Sequence, residues 1–328
     1  MKAVLLSGFG GVDVLRIGEF PDPVPNDDEL LVRVRATALN RADLLQRRGK
    51  YPPPEGASPI LGLEMAGEVI VAGRAVRGYR EGDRVCALLA GGGYAQRVTI
   101  PAGLAIRLPD RISDEEGAAI PEAFLTAYRN LFLLGGLHAG QTVLLHAGAS
   151  GVGTAAIQLV RDAGAVALVT AGSGAKIGRC LELGARAGWN RTQGPFAPWI
   201  AAETGGKGVD LILDCVGAAY YEENVASLAE GGKLIVIGLM GGSVAPKLDL
   251  APLVMRGLAI VGSRLRGLRV EIKRELTERF AAYAMPRFAE GTLRPVIDSV
   301  YDWRDVARAH ARMESNANIG KIVLRVTE

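Results

Sequence analysis

The chain has 328 residues, 49% of them hydrophobic, with 38 Lys and Arg against 35 Asp and Glu and a formal net charge of +3. That length accommodates two domains with separate cores, and the near balance of charge gives no electrostatic footprint for nucleic acid. No apolar stretch reaches the roughly 20 uninterrupted residues of a membrane span. The three cysteines, Cys86, Cys180 and Cys215, have neither zinc-ribbon nor disulfide-framework spacing, so a reducing, cytoplasmic location is expected.

In chain order, the opening MKAVLLS is too short in its apolar part for a signal peptide and reads as a first strand. LLVRVRATAL alternates apolar and polar side chains, the period of a half-buried strand, and AGEVIVAG and EGDRVCALL repeat that character. GKYPPPEGASP is a rigid loop, since its prolines suit neither a helix nor a central strand. These features predict a small β-rich first domain. From about Ala118 the texture changes, and EEGAAIPEAFLTAYRNLF has helical period with a break at Pro121.

Strands and helices then alternate. TVLLHAGA predicts a strand, GTAAIQLVRDAG a helix closed by Gly164, AVALVTA a strand, and GAKIGRCLELGA a helix closed by Gly184. GVDLILDCVG and GGKLIVIGLMGG are further near-continuous apolar runs, as expected of a parallel sheet covered on both faces. RGLAIVGSR gives one more strand at about 258–263, followed by a long charged helix from about Glu271, LRPVIDSVY, a short helix from Asp302 and the strand IGKIVLRV. SRLRGLRVEIKRE is the one basic stretch, and it reads as a solvated helix face.

HAGASGVGTAAIQLV places Gly148, Gly151 and Gly153 between a predicted strand and a predicted helix. In a βαβ unit such a turn brings backbone close to a pyrophosphate and aims helix N–H groups at it. The alternative is a turn with no ligand. An NAD site usually presents an acid about twenty residues further on; here TAGSGAK offers Ser173 and Lys176 instead, with Arg191 beyond the third strand. A hydroxyl and two cations favour a 2′-phosphate and hence NADPH, although Ser173 could simply cap a helix and Lys176 could simply be solvated.

ALNRADLLQRRGKYPPP, LGLEMAGEV, EGDRVCALLAGGGYAQ, HAGASGVGTAAIQL, LDCVGAAYYEENV and NIGKIVL span nearly the whole chain. Together they resemble the zinc-independent quinone oxidoreductases of the medium-chain dehydrogenase/reductase superfamily, nearest to the tumour-suppressor-inducible branch. The resemblance implies a GroES-like substrate domain of residues 1–121 and 261–328, with a Rossmann doubly wound domain of residues 122–260 inserted and NADPH in the cleft. It implies cofactor contacts from Gly148, Ser150, Gly151, Val152, Gly153, Ser173, Lys176, Arg191, Gly217, Gly238, Leu239 and Met240. Asn318 and Lys321 would close over the cofactor. It also implies a homodimer through Leu258–Gly262.

On the substrate side the resemblance points to Asn40, Asp43 and Tyr51, with Thr126 and Tyr128 facing the nicotinamide. From the residues alone, Asn40 donates to a carbonyl or satisfies a turn, and Asp43 bonds backbone or Arg47. Tyr51 presents a wall or packs on prolines, and Tyr128 is core or site. Zinc alcohol dehydrogenases of the superfamily carry metal ligands where this chain has Asn40 and Leu63, so no metal is expected. His138, His146 and His310 are expected in core or surface roles. The implied activity is NADPH-dependent reduction of quinones, ortho-quinones or similar conjugated carbonyls. The rivals are an enoyl or alkenal reductase, and a crystallin-like structural or RNA-binding protein.

Overall fold

The computed structural model describes residues 1–245 and 249–327, in two compact units: residues 1–125 with 265–328, and residues 126–264. In chain order the first unit opens with β1 (Lys2–Leu6), β2 (Leu15–Glu19) and β3 (Glu29–Ala38), then the short helix α1 (Arg41–Arg47). β4 (Glu64–Ala72), β5 (Arg84–Leu88), β6 (Arg97–Pro101), β7 (Ala105–Arg107) and α2 (Asp114–Ala118) come next. No helix or strand is assigned between Gly49 and Leu63, the proline-rich segment. α3 (Pro121–Tyr128) begins at the expected proline, whose missing N–H costs nothing in a first turn, and it runs on as a π-helix over Arg129–Leu134.

The second unit contains β8 (Thr142–Leu145), α4 (Gly151–Asp162), β9 (Val166–Ala171), α5 (Gly174–Glu182), β10 (Ala187–Asn190) and α6 (Ala197–Glu203). It continues through β11 (Val209–Asp214), α7 (Tyr221–Ser227), β12 (Leu228–Val236), α8 (Ala251–Met255) and β13 (Ala259–Gly262). The chain then supplies α9 (Val270–Glu290), β14 (Ile297–Asp302), α10 (Val306–Glu314) and β15 (Lys321–Arg325) to the first unit.

The six strands of the second unit are all parallel, in the order β10-β9-β8-β11-β12-β13. Counted from β8, that is the 3-2-1-4-5-6 order of a doubly wound dinucleotide fold, with its switch point between β8 and β11. Val143, Leu144, Leu168, Val169, Ile212 and Ile235 are buried because helices cover both faces. β13 lies at the edge of this sheet, and Ile260 on it is 39% exposed.

The first unit is a mainly antiparallel GroES-like sheet in the order β14-β15-β3-β4-β5-β7, with β6 also on β3. Leu30, Val32, Val34, Met65, Val69, Tyr94 and Trp303 form its core. Strand register decides which distant residues become neighbours here. β3 pairs with β15 (Ala38 opposite Val323) and with β4 (Thr37 opposite Met65). The end of β3 and the starts of β4 and β15 therefore lie side by side, although they are far apart in sequence.

Within SRLRGLRVEIKRE the expected solvated face is only partly found. Arg266 and Lys273 are buried, 3% and 7% exposed, while Arg264 and Arg269 face solvent. The helical period of α9 turns Lys273 inward with Leu276, Thr277 and Phe280. Composition read the charge of this segment but not the face it occupies.

Candidate functional site

In the second unit the turn between β8 and α4 is tied down before any ligand is considered. Gly148 N–H donates to Thr170 O (2.9 Å), and Ser150 caps α4 by accepting from Gly153 N–H (3.0 Å). A Cβ on Gly153 would lie 2.5 Å from the carbonyl oxygens of both Ala147 and Gly148, and one on Gly148 would lie 2.8 Å from Val169 Cβ. Gly148 is thus required by the close approach of the turn to β9, and Gly153 by the close approach of α4 to the carbonyls of that turn. Gly151 is different: it is the first residue of α4 and half-buried. Among the described residues no acceptor meets the N–H of Gly151 or Val152, so both donors stand open at the positive end of a twelve-residue helix. That is a fit for an anion such as a pyrophosphate.

At the end of β9, Ser173 caps α5 by accepting from Lys176 N–H (3.3 Å). Arg191 is exposed, and its guanidinium lies against Gly172, where a Cβ would meet Nε at 3.4 Å. Gly217 (φ +83°) and Gly238 pack closely: a Cβ on Gly217 would meet Gly242 O at 2.8 Å, and one on Gly238 would meet Cys215 O at 2.9 Å. The loops after β11 and β12 are joined by Gly241 N–H to Val216 O (2.7 Å), and they present Leu239 and Met240, 58% and 55% exposed.

Beneath these loops runs a buried polar chain that sequence reasoning missed. His146 bonds Thr170 Oγ1 (2.9 Å) through Nδ1 and Asn224 Oδ1 (2.7 Å) through Nε2, and Asn224 donates to Asp214 (3.2 Å). Asp214 accepts from the N–H groups of Val216 and Gly217. Because the Asn224 amide nitrogen serves Asp214, its oxygen accepts from His146 Nε2–H, and Nδ1 accepts from the Thr170 hydroxyl. Burial lowers the imidazole to about 4, so the ring is neutral; it packs edge-on to Phe196 and Tyr220. Sequence showed a histidine after a strand, and only the fold brings Asn224 beneath it.

Thr126 and Tyr128 are buried on α3, with Tyr128 against Phe132 (ring centroids 5.0 Å apart) and Thr126 O accepting from Asn130 (2.7 Å).

In the first unit the strand register gathers a polar cluster. Lys321 Nζ donates to Glu64 Oε1 (2.6 Å), Asn40 Oδ1 (2.7 Å) and Leu39 O (2.8 Å), and the two charged side chains are 4% and 0% exposed. Asn40 Nδ2 donates in turn to Glu64 Oε1 (2.8 Å) and to Ala38 O (3.3 Å). Glu64 Oε2 accepts from Glu122 N–H (2.8 Å) at the start of α3. Asp43, at 0% exposed, accepts from the backbone N–H groups of Asn40 (2.7 Å) and Gly62 (3.0 Å), and burial raises its carboxyl to about 6. Burial beside the Glu64 carboxylate raises Glu122 to about 8.

Of the residues expected on the substrate side, Asn40 and Asp43 therefore share this cluster, where they are bonded to the protein. Asp43 takes its backbone partners, while Arg47 bonds His310 (3.1 Å) and Gly10 O (3.1 Å). Lys321, expected to close over a cofactor, has its three donors occupied inside the first unit, and Asn318 donates to Gly320 O (2.9 Å) in a local turn. Tyr51 is half-buried in the proline loop, with the Arg266 guanidinium 5.2 Å from its ring centroid. Arg266 is itself held by Gln46 Oε1 (2.8 Å) and Ala90 O (2.8 Å), and its backbone oxygen accepts from Lys273 Nζ (2.7 Å). An open groove of about 710 Å³ passes Pro54–Ile60 and Leu88–Gly92 and reaches Arg266 and Lys273.

Residues 26–110 match the alcohol dehydrogenase GroES-like domain, and residues 151–282 match the family described as zinc-binding dehydrogenase. Human quinone oxidoreductase is 30% identical over 99% of this chain and 97% of its own length. The chain belongs to the medium-chain dehydrogenase/reductase superfamily. It is an oxidoreductase of that superfamily, with quinone oxidoreductases among its relatives. The rat synaptic vesicle membrane protein VAT-1 homolog is 32% identical over 99% of this chain and 84% of its own length. Among solved structures, an NAD-dependent alcohol dehydrogenase superposes with a TM-score of 0.89 at 31% identity, covering 100% of both chains. Escherichia coli quinone oxidoreductase complexed with NADPH gives 0.89 at 29% identity, covering 99% of this chain and 100% of that one. The CurK enoyl reductase gives 0.89 at 26% identity over 99% of both.

The zinc implied by one family description does not fit the residues present. Asn40 and Leu63 stand where the ligands were expected, and Leu63 is an apolar side chain at 1% exposure. The oxygens of Asn40 and Glu64 already face a cation, the Lys321 ammonium. Among the described residues no group of three His, Cys, Asp or Glu side chains could hold a metal ion.

Proposed function

We propose that the protein is an NADPH-dependent, metal-independent reductase of quinones or similar conjugated carbonyl compounds. The observation that carries the cofactor choice is the Arg191 guanidinium lying against Gly172 at the end of β9, beside the Ser173 and Lys176 cap. A carboxylate there would repel a 2′-phosphate, whereas this arrangement attracts one. The N–H groups of Gly151 and Val152 hold the pyrophosphate, with Gly148, Ser150 and Gly153 shaping the turn around it. Gly217, Gly238, Leu239 and Met240 line the nicotinamide end, with Thr126 and Tyr128 on the same unit. When bound, the cofactor supplies the reducing equivalents. Tyr51, braced by Arg266, orients the acceptor, and the Asn40–Glu64–Lys321 cluster fixes the start of α1, where Asp43 bonds Asn40 N–H.

Relatives named quinone oxidoreductase, one of them solved with NADPH, support this reading. The likeness to an enoyl reductase supports a second one, reduction of an activated carbon–carbon double bond. Steady-state rates with NADPH on a panel of ortho-quinones, para-quinones, enals and enoyl thioesters separate the two. Quinones with the highest kcat/KM are expected, and a preference for enoyl thioesters would favour the second. Prolonged chelation should leave the rate unchanged; loss of stoichiometric zinc together with activity would overturn metal independence. An RNA-binding role is disfavoured, because two cations of the one basic stretch are buried.

A further inference from the structure

The buried polar chain of the second unit crosses the switch point of its sheet. Thr170 is on β9, His146 directly follows β8 and Asp214 ends β11, so these three stand at the carboxyl ends of neighbouring strands. Asn224, from α7, joins His146 to Asp214. All four side chains belong to residues between 0% and 4% exposed. Every side-chain donor points the same way, from the Thr170 hydroxyl through the His146 ring and the Asn224 amide to the Asp214 carboxylate. There the chain meets the backbone, because Asp214 accepts from Val216 N–H (2.6 Å) and Gly217 N–H (3.0 Å) in the loop after β11. Among the described residues Asn224 is the one side-chain donor to that carboxylate. We infer that Asn224 is a positioning residue for the cofactor, holding through Asp214 the turn at Val216 and Gly217 that receives its nicotinamide half.

The inference rests on the NADPH reading above. In a doubly wound sheet a dinucleotide lies across the switch point, outside the carboxyl ends of the strands. On that reading the pyrophosphate meets the start of α4 and the 2′-phosphate the end of β9, so the other half falls to the loops after β11 and β12. Those two loops are tied into one body: Gly241 N–H donates to Val216 O (2.7 Å), and Ala218 N–H donates to Gly242 O (3.0 Å). Gly217 holds φ +83° at the bend, where a Cβ would meet Gly242 O at 2.8 Å. The far end of the chain is equally fixed. The His146 ring packs edge-on to Phe196 and Tyr220, with ring centroids 4.9 and 4.8 Å apart, and Thr170 O accepts from Gly148 N–H (2.9 Å) in the glycine turn. Without Asn224 the ring N–H of His146 loses its acceptor, and the Asp214 carboxylate is free to turn away from the two backbone donors. Ordering of that turn would then be deferred to the binding step and subtracted from affinity, for the half of the cofactor that the turn serves.

Asn224→Ala in the full chain tests this by calorimetric titration with NADPH and with adenosine 2′,5′-bisphosphate, which lacks the nicotinamide half. NADPH binding should weaken at least about tenfold, the effect of losing a hydrogen bond to a charged group. The bisphosphate should bind within about twofold of its wild-type affinity, as expected where two sites are independent. Equal losses for both ligands would show a purely structural role and overturn the inference, as would unchanged NADPH binding. Hydrogen exchange on the wild type gives a second measurement that does not need the variant to fold. Without cofactor, the Val216 and Gly217 amides should exchange far more slowly than an exposed loop, together with the end of β11. Protection that appears only when NADPH is added would mean that the ligand orders the turn, and would overturn the inference. A wild type that binds neither ligand would overturn the NADPH reading itself, and the inference with it.

Discussion

Replacing Lys321 with methionine tests whether the cluster is as desolvated as the geometry requires. The Lys321–Glu64 pair is 2.6 Å apart, with side chains 4% and 0% exposed. Removing the ammonium leaves a buried carboxylate facing only Asn40 and one backbone N–H, and breaking a buried pair in this way costs about 3–5 kcal/mol. The deficit should shrink in acid, where protonation removes the buried charge. Adding Glu64→Gln should recover at least half of it. The neutral amide can still accept from Glu122 N–H, and it can donate to the Asn40 oxygen that Lys321 has released. Trp303 is 2% exposed and is the tryptophan of the first unit, so its fluorescence in a Trp189→Phe, Trp199→Phe background follows urea unfolding of that unit. A single variant within about 1 kcal/mol of wild type at pH 7.5, or a double variant no better than the single, would refute the reasoning.

Lys176→Ala with Arg191→Ala should weaken NADPH binding at least about tenfold and leave NADH nearly unchanged, since a hydrogen bond to a charged group contributes about 1.5–3 kcal/mol. Isothermal titration with both cofactors reads this, and equal losses would mean that the cations hold something other than the 2′-phosphate. Burial lowers His146 to about 4 against 6.5 when unfolded, so between those values the unfolded chain binds more protons and wild-type stability is lost as pH falls. The stability gap between wild type and His146→Gln should therefore narrow by about 3 kcal/mol from pH 7 to pH 4; a constant gap would show that the ring is not held neutral. Light scattering at micromolar concentration should find a dimer, because among the described residues β13 pairs only with β12 and is otherwise an open apolar edge. Ile260→Lys should shift the population to monomer, and a monomeric wild type would refute the interface.

Much of the fold was legible because periodicity reports burial. The apolar runs at Leu211–Leu213 and Leu234–Ile235 became central parallel strands, since only strands covered on both faces tolerate such runs. Gly164 and Gly184 ended helices with positive φ, as expected of residues without a Cβ. The polar clusters were not legible. Asn40, Glu64 and Lys321 meet through the register of β3, β4 and β15, and a register linking residue 38 to residue 323 leaves no local trace. Glu64 and Glu122 were passed over for the same reason: nothing near either carboxylate in sequence announces that it is buried. Arg266 and Lys273 misled in the opposite direction, since a basic run is usually a wet surface and here two of its members turn inward.

The occupied donors of Lys321 also bear on which acceptors the protein can reduce. An ammonium has three N–H bonds, and all three already meet Glu64, Asn40 and Leu39, so it has none to offer a substrate carbonyl. Asn40 is in the same position, with both amide hydrogens accepted by the protein. Neither side chain thus has a hydrogen left with which to polarise an incoming carbonyl. A simple ketone would need that missing polarisation to accept hydride at a useful rate. A quinone does not, because its conjugated carbonyls already make the ring electron-poor, and its two-electron product becomes aromatic. On the reductase reading proposed above, the same bonding that makes the cluster rigid favours acceptors that arrive activated, which is the physical reason that reading prefers quinones to unactivated carbonyls.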